Sequence, residues 1–488
     1  MADTQSVLER YPEYEITIGI EVHVQLNTAS KIFCRCPNSP TPDANQNICP
    51  ICCGHPGVLP VLNKEVVNGA IKAGLGTNCT IAQHSEFARK HYFYPDLPKG
   101  FQTTQSDKPI CTDGSVNIRL DDGSTKVIRI ERIHMEEDAG KNIHATGTNE
   151  SFVDLNRAGT PLIEIVSRPD ICNAAQATAY LKTLRSIVTY LGICSGNMEE
   201  GAFRADTNLS IKLRSATELG TRCELKNINS FKFIRDAIEY EAERQIKKIL
   251  KGEKIVQETR LWDTVERKTK SMRSKEDAAD YRYFREPDLP VLKIDKEWVQ
   301  RIKDELPELP EQKFERLCSQ NNLSAYEADI LIYNPEVADY YEQAYAITPS
   351  KNLINLVLRD IMAHLKDQKI TVKECKIAPK QLCELVAMLD NGAINNRAAR
   401  TVFDEMAENG GSPGDIVKAK GLEQIGSSQE IEVIVKAVID ASPDQLAAYR
   451  SGKDRLFGYF VGQVMKKTGG NANPKIVQEL LKKHLSAE

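Results

Sequence analysis

Two short stretches each set an imidazole and a carboxylate at the spacing of one strand face. In Val127–Lys141, VIRIERIHMEEDAGK, β-branched and polar residues alternate over the first part, so it reads as a strand. Alternate side chains of a strand share a face, so His134, Glu136 and, next in the alternation, Asp138 project together while Glu137 points the other way. In Ile18–Leu26, IGIEVHVQL, Glu21, His23 and Gln25 share one face and Val22 and Val24 the other. Carboxylates joined by an imidazole suit Mg²⁺ or Mn²⁺, which makes Glu21, His23 and Glu136 candidate cation ligands. The competing reading is a pair of amphipathic strands with solvated faces, for which Thr, Lys and Ser would serve as well.

A second constellation is built from cysteine. Phe33–Pro60 places Cys34 and Cys36 as a C-x-C pair and Cys49 and Cys52 as a C-x-x-C pair, around a loop rich in Pro, Asn and Asp. Two close thiol pairs closed over a loop read as a tetrahedral zinc knuckle with no open position, hence structural. Reduced core cysteines are the alternative. Cys53 directly follows a ligand, cannot easily point the same way, and is left out.

The elements that must position these groups follow from pattern. Asp154–Val166, Met198–Ser210 and Cys223–Ser230 also alternate, bringing Glu164, then Arg204, Asp206 and Asn208, then Glu224 and Lys226 onto strand faces. Several such strands suggest a sheet lining a polar cavity. Val66–Gly76, Ala174–Leu191 and Phe231–Lys251 read as helices, the last ending at Gly252. Phe87–Gln105 reads as a loop, because Pro95 and Pro98 exclude a regular helix. Its Arg89, Lys90 and Lys99 around Tyr92, Phe93 and Tyr94 suit a phosphate beside a stacked base, or a loop packed by its own aromatics. Beyond Lys293 the patterns turn helical to about Glu408, Gly410-Gly411-Ser412-Pro413 marks a boundary, and the last segment is helical and basic.

A chain of 488 residues predicts roughly three domains. Its 41% hydrophobic and 27% charged residues are those of an ordinary soluble protein, and its net charge of −4 argues against a wholly basic nucleic-acid coat. The 13 cysteines are no secreted disulfide framework. With no apolar run of membrane-spanning length and no signal-peptide core, a cytoplasmic location is expected. There is neither a P-loop nor a G-x-S-x-G elbow, and no glutaminase nucleophile is visible.

Several of these stretches together resemble the B-subunit family of tRNA-dependent amidotransferases. They are IGIEVHVQL, FCRC with CPICCGHPGVLP, HYFYPDLPKGFQ, HMEEDAGK, DLNRAGTPLIEIVS and SMRSKEDAADYRYF, with GQVMKKTGGNANP near the C-terminus. Cys53 and Arg285 depart from the family's usual aliphatic residue and proline. The resemblance implies an α+β chain. It would hold a cradle-like mixed β-sheet kinase (ATP-binding) domain over 1–293 with the zinc knuckle at 34–52, an all-α helical domain over 294–408 and an all-α tRNA-binding tail over 409–488.

It further implies a heterotrimer with an amidase A subunit and a small C subunit. ATP would phosphorylate the side-chain carboxylate of Glu on tRNA(Gln) or Asp on tRNA(Asn), and ammonia from the A subunit would then displace phosphate. The resemblance adds Glu164 to Glu21, His23 and Glu136 as a magnesium ligand. Because two anions must approach in phosphoryl transfer, Lys90, Lys99, Lys141 and Arg204 are candidate phosphate or carboxylate clamps, each of which could equally be a surface charge. In the tail, Arg450, Lys453, Lys466 and Lys467 are expected to meet RNA phosphates. The rival reading is a zinc-stabilised tRNA-binding scaffold with all catalysis in a partner.

Overall fold

The computed structural model describes residues 6–144, 150–274, 280–424 and 427–486. Residues 275–279, within SMRSKEDAADYRYF, lie outside them. The chain forms two compact units, Met1–Arg316 and Leu317–Glu488.

The strands of the first unit are β1 (Tyr14–Gln25), β2 (Thr80–Ile81), β3 (His84–Ser85), β4 (Ala88–His91), β5 (Phe101–Thr104), β6 (Cys111–Arg119), β7 (Thr125–Glu137), β8 (Lys141–His144), β9 (Ser151–Asp154), β10 (Pro161–Ser167), β11 (Phe203–Leu213), β12 (Cys223–Lys226), β13 (Glu258–Asp263), β14 (Lys268–Ser274), β15 (Phe284–Arg285) and β16 (Leu292–Lys293). Nine of them make one sheet in the order β14-β13-β12-β11-β1-β10-β7-β6-β2. Its neighbours run antiparallel except β12 and β13, which are parallel.

β1 shows why one face is apolar and the other polar. Its residues alternate between buried and half-buried along the whole strand, with Ile18, Ile20, Val22 and Val24 on the buried side. Helices α2 (Lys64–Gly76), α3 (Ala174–Tyr190) and α4 (Phe231–Leu250) follow a short α1 (Val7–Arg10) and pack on the sheet through β7, β6 and β11 respectively. Ile71, Leu181, Leu184, Val188, Ile234 and Ile238 join the strand residues in a single core. Each such side chain contributes about 1.5–3 kcal/mol on burial, which is what holds helices and sheet together. Side-chain caps start the three helices: Asn63, Asn173 and Ser230 accept from backbone N–H groups two or three residues on.

Phe87–Gln105 is more ordered than its prolines suggest. β4 and β5 pair there as a hairpin, and Pro95 and Pro98 fall in the connection between them. Proline forbids neither strand because neither contains it. The first unit also runs past Lys293. The helix Lys296–Asp304 packs on α2, and Trp298 Nε1 donates to Asn68 Oδ1 at 2.8 Å.

The second unit is helical among its described residues. Within it Ile431, Val435, Phe460, Val464, Val477, Leu481 and Leu485 make a compact apolar cluster from the helices Ser428–Asp440, Leu456–Lys467 and Pro474–Leu485. Among the described residues no helix is long and apolar enough to cross a membrane.

Candidate active site

Strand register brings the polar groups together. His23 on β1 pairs with Glu164 on β10, and Glu164 pairs in turn with His134 on β7. Directly opposed residues of an antiparallel pair share a face. The three therefore form a row, and Glu136, two residues beyond His134, lies on the same side. His134 Nε2 and His23 Nε2 sit 3.2 Å and 3.4 Å from Glu164 Oε2, and each lies 3.8 Å from a Glu136 oxygen. Glu136, His134 and Glu164 are buried, and Thr104 Oγ1 donates to Glu136 Oε2 at 3.3 Å.

Buried carboxylates draw positive charge to this spot. Burial disfavours the His23 imidazolium, but Glu164 and Glu136 outweigh it and push the His23 pKa up to about 9. Burial likewise disfavours a Glu164 carboxylate, yet His134 and His23 hold it well below the usual range. One donor atom each from His23, Glu136 and Glu164 lies within 4.8 Å of the others, which suits a divalent cation. A cation and the imidazole protons would compete for the same negative charge.

A second acidic group lies beside the first. Glu21 pairs with Asp206 on β11, and Glu224 on β12 completes a trio whose oxygens also lie within 4.8 Å of one another. Burial and the neighbouring Glu164, Glu224 and Asp206 charges raise the Glu21 pKa. Lys226 Nζ reaches Asp206 Oδ2 at 2.8 Å and Glu224 Oε1 at 3.3 Å, while Asn208 Nδ2 donates to Glu21 Oε1 at 3.0 Å. Both groups line one polar cavity of about 710 Å³, walled also by Lys90, Tyr281 and Tyr283. Sequence alternation put Asp206 and Glu224 on strand faces but did not mark them as ligands; the register, which brings them to Glu21, is not written in any one segment.

The candidate clamps separate. Lys90 faces the cavity with its ammonium 4.9 Å from the Tyr281 ring centre and 5.9 Å from that of Tyr92. Burial works against its charge, but Glu136 foremost among its neighbours raises its pKa. Lys99 does not share this cavity. It pairs with Glu137, whose Oε1 also accepts from the Thr103 N–H, in a smaller cavity of about 190 Å³ on the other side of β7. Arg89 is likewise committed, to Glu286 and Asp288. Lys141 is exposed on β8 and does not line the cavity. Arg204 opposes His23 in register, but its Nη2 turns to Asp138 Oδ2 at 2.9 Å, where Gln25 Nε2 also donates at 3.1 Å. Asp138, just past the end of β7, is thus held by Arg204 and Gln25.

The four thiols of Cys34, Cys36, Cys49 and Cys52 converge, with their sulfurs within 4.8 Å of one another. Cys49 and Cys52 sulfurs are 3.9 Å apart. A tetrahedron with Zn–S bonds of about 2.3 Å has edges of about 3.8 Å, so the set fits a tetrathiolate metal. All four are free thiols, and Cys53 stands outside the group. In the second unit Arg450, Lys453, Lys466 and Lys467 are all exposed, and Arg450 Nε donates to the Leu485 carbonyl at 3.3 Å.

The sequence of this chain matches known families. Residues 16–300 match the family model described as GatB/GatE catalytic domain, and residues 339–485 match the one described as GatB domain. Proteins named as the B subunit of aspartyl/glutamyl-tRNA(Asn/Gln) amidotransferase are similar over nearly the full length. The one from Geotalea daltonii is 51% identical over 477 residues, covering 97% of this chain and 99% of that protein. The one from Brachyspira hyodysenteriae is 50% identical, covering 97% and 100%, and the one from Thermodesulfovibrio yellowstonii 48%, covering 97% and 99%. The chain belongs to this GatB family of amidotransferase B subunits.

Proposed function

We propose that this chain works in the cytoplasm in a heterotrimer with an amidase A subunit and a small C subunit. It would bind misacylated tRNA and use ATP to activate the side-chain carboxylate of Glu on tRNA(Gln), Asp on tRNA(Asn), or both. The observation that carries this reading is the register that gathers His23, Glu164 and Glu136 beside Glu21, Asp206 and Glu224 in one cavity.

A carboxylate cannot exchange an oxygen for ammonia directly, because its leaving group would be oxide. In the proposed sequence the substrate carboxylate oxygen attacks the γ-phosphorus of ATP, ADP leaves, and an acyl phosphate forms. Ammonia then attacks the acyl carbon, phosphate departs, and the nitrogen loses a proton as the amide forms. A magnesium ion held by the cavity carboxylates and His23 would supply the positive charge that offsets the repulsion between the two anions.

The chain's own residues supply the rest. His23, Glu136 and Glu164 hold one cation, and Glu21, Asp206 and Glu224 hold a second. His134 presses on Glu164 and fixes where its oxygens point, a role like that of the outer partners in metal sites. Lys90 presents further positive charge from the aromatic wall, in addition to Lys226 on the Asp206–Glu224 pair. The cysteine cluster holds zinc as a structural centre, and the exposed basic residues of the tail meet tRNA phosphates.

The test is transfer of the γ-phosphoryl group of ATP to glutamate on tRNA by the assembled enzyme without an ammonia donor. Glu136→Gln is expected to lower that transfer about 10²–10³-fold, the scale of removing one electrostatic group from a transferring centre. Full retention would favour the scaffold reading, which the thiol cluster and basic tail alone would satisfy.

A further inference from the structure

Lys31 is completely buried. A buried ammonium costs several kcal/mol unless an opposite charge answers it. Among the described residues no carboxylate lies within ion-pair distance of Lys31. Its Nζ donates to the Asn47 carbonyl at 2.7 Å and the Leu155 carbonyl at 3.4 Å, and its third contact is Cys52 Sγ at 3.8 Å. Three acceptors match the three protons of an ammonium. Two carbonyls supply hydrogen bonds but no net charge. Four thiolates around one divalent ion carry a net charge of −2, and that is the one anion this geometry offers.

We propose that Lys31 is the built-in counter-ion of the metal-tetrathiolate centre and ties that centre to the turn that launches β10. The second half rests on backbone contacts. The Ile32 N–H donates to the Gly159 carbonyl at 3.0 Å, and the Gly159 N–H donates to the Asp138 carbonyl at 3.0 Å. Gly159 has φ +83°, and a Cβ there would sit 3.5 Å from Lys31 Cδ and 3.6 Å from Cys52 Cβ. Two residues later β10 begins, carrying Glu164. Lys31 thus lies between the thiol cluster and the strand that carries a cation ligand of the cavity. It is a positioning residue, and the proposal rests on the metal reading of the four cysteines but not on the phosphoryl-transfer reading.

Lys31→Met keeps most of the side chain's length and its unbranched shape, and removes its charge. In the full-length zinc-loaded chain, loss of zinc to a chelator is expected to be at least about tenfold faster in the variant, since each tenfold corresponds to about 1.4 kcal/mol. With Co²⁺ in place of zinc, the sulfur-to-cobalt charge-transfer band should move to longer wavelength, because a nearby cation lowers the energy of the sulfur electrons. A side chain that merely filled space would leave the band where it was. Unchanged zinc loss and an unchanged band would overturn the counter-ion role.

If Lys31→Met does not fold, amine labelling of the unaltered chain decides. Lys31 should be protected with metal bound and labelled once a chelator removes it, with faster amide exchange at Gly159. Equal protection in both states would overturn the proposal. A phosphoryl-transfer defect in Glu136→Gln with normal zinc retention would leave the two readings separately judged.

Discussion

Glu136 and Glu137 are neighbours in sequence and belong to different chemistries. Glu136 meets two imidazoles in the larger cavity, while Glu137 meets Lys99 in the smaller one behind the strand. Glu137→Gln is therefore expected to act on stability first. It leaves the mostly buried Lys99 ammonium without its anion, at a cost of about 2 kcal/mol once the partial exposure of Lys99 is allowed for, readable as a lower urea midpoint. The separation of this pair was legible in the sequence, because a period of two sends successive side chains to opposite faces. The fates of Lys99, Lys141 and Arg204 were not. A long cationic side chain reaches whichever anion folding brings near, and Glu137 and Asp138 claim Lys99 and Arg204 through contacts that strand spacing does not encode.

At the scale of the element, the cavity depends on how β10 enters the sheet. All seven of its residues are buried, and its register with β1 and β7 sets the His23–Glu164–His134 row. The turn before it uses a left-handed glycine, Gly159, against the thiol cluster. Gly159→Ala forces a side chain into that conformation at a cost of about 1–2 kcal/mol. The expected result is a lower melting temperature together with reduced amidation, while Gly123→Ala, in an open turn with φ +82° and nothing within 4 Å, loses stability but keeps amidation rate. Equal amidation loss in both variants would show that the turn has no special link to the site. Alternation made β1 and β7 readable in advance, and helical pattern, with Gly252 as the stop of the second, did the same for α3 and α4. The β4–β5 hairpin was hidden because its strands are four residues each and the prolines between them dominate the local pattern.

For the whole molecule, charge is partitioned in a way that net composition conceals. The net charge is −4, yet the cavity concentrates carboxylates and the C-terminal helices expose Lys466 and Lys467 on one last turn. If those lysines meet tRNA phosphates, replacing both by Ala should lower tRNA affinity and reduce the slope of log affinity against log salt by about 1.4–1.8. ATP-dependent steps at saturating tRNA should be unaffected. An unaltered slope would remove these residues from the interface. The change from a mixed sheet to helices was readable from periodicity, but the unit boundary was not. The helix Lys296–Asp304 looks like the start of the helical region, and only its packing on α2, through Trp298 and Asn68, assigns it to the first unit.

The proposed chemistry requires two acidic clusters that gather divalent cations in a single cavity. Electron paramagnetic resonance of Mn²⁺ bound to the assembled enzyme with a non-hydrolysable ATP analogue tests that directly. Two ions close enough to couple their spins are expected, with Glu136→Gln and Asp206→Asn each removing one and abolishing the coupling. Mn²⁺ that binds singly, or binds unchanged in both variants, would contradict it.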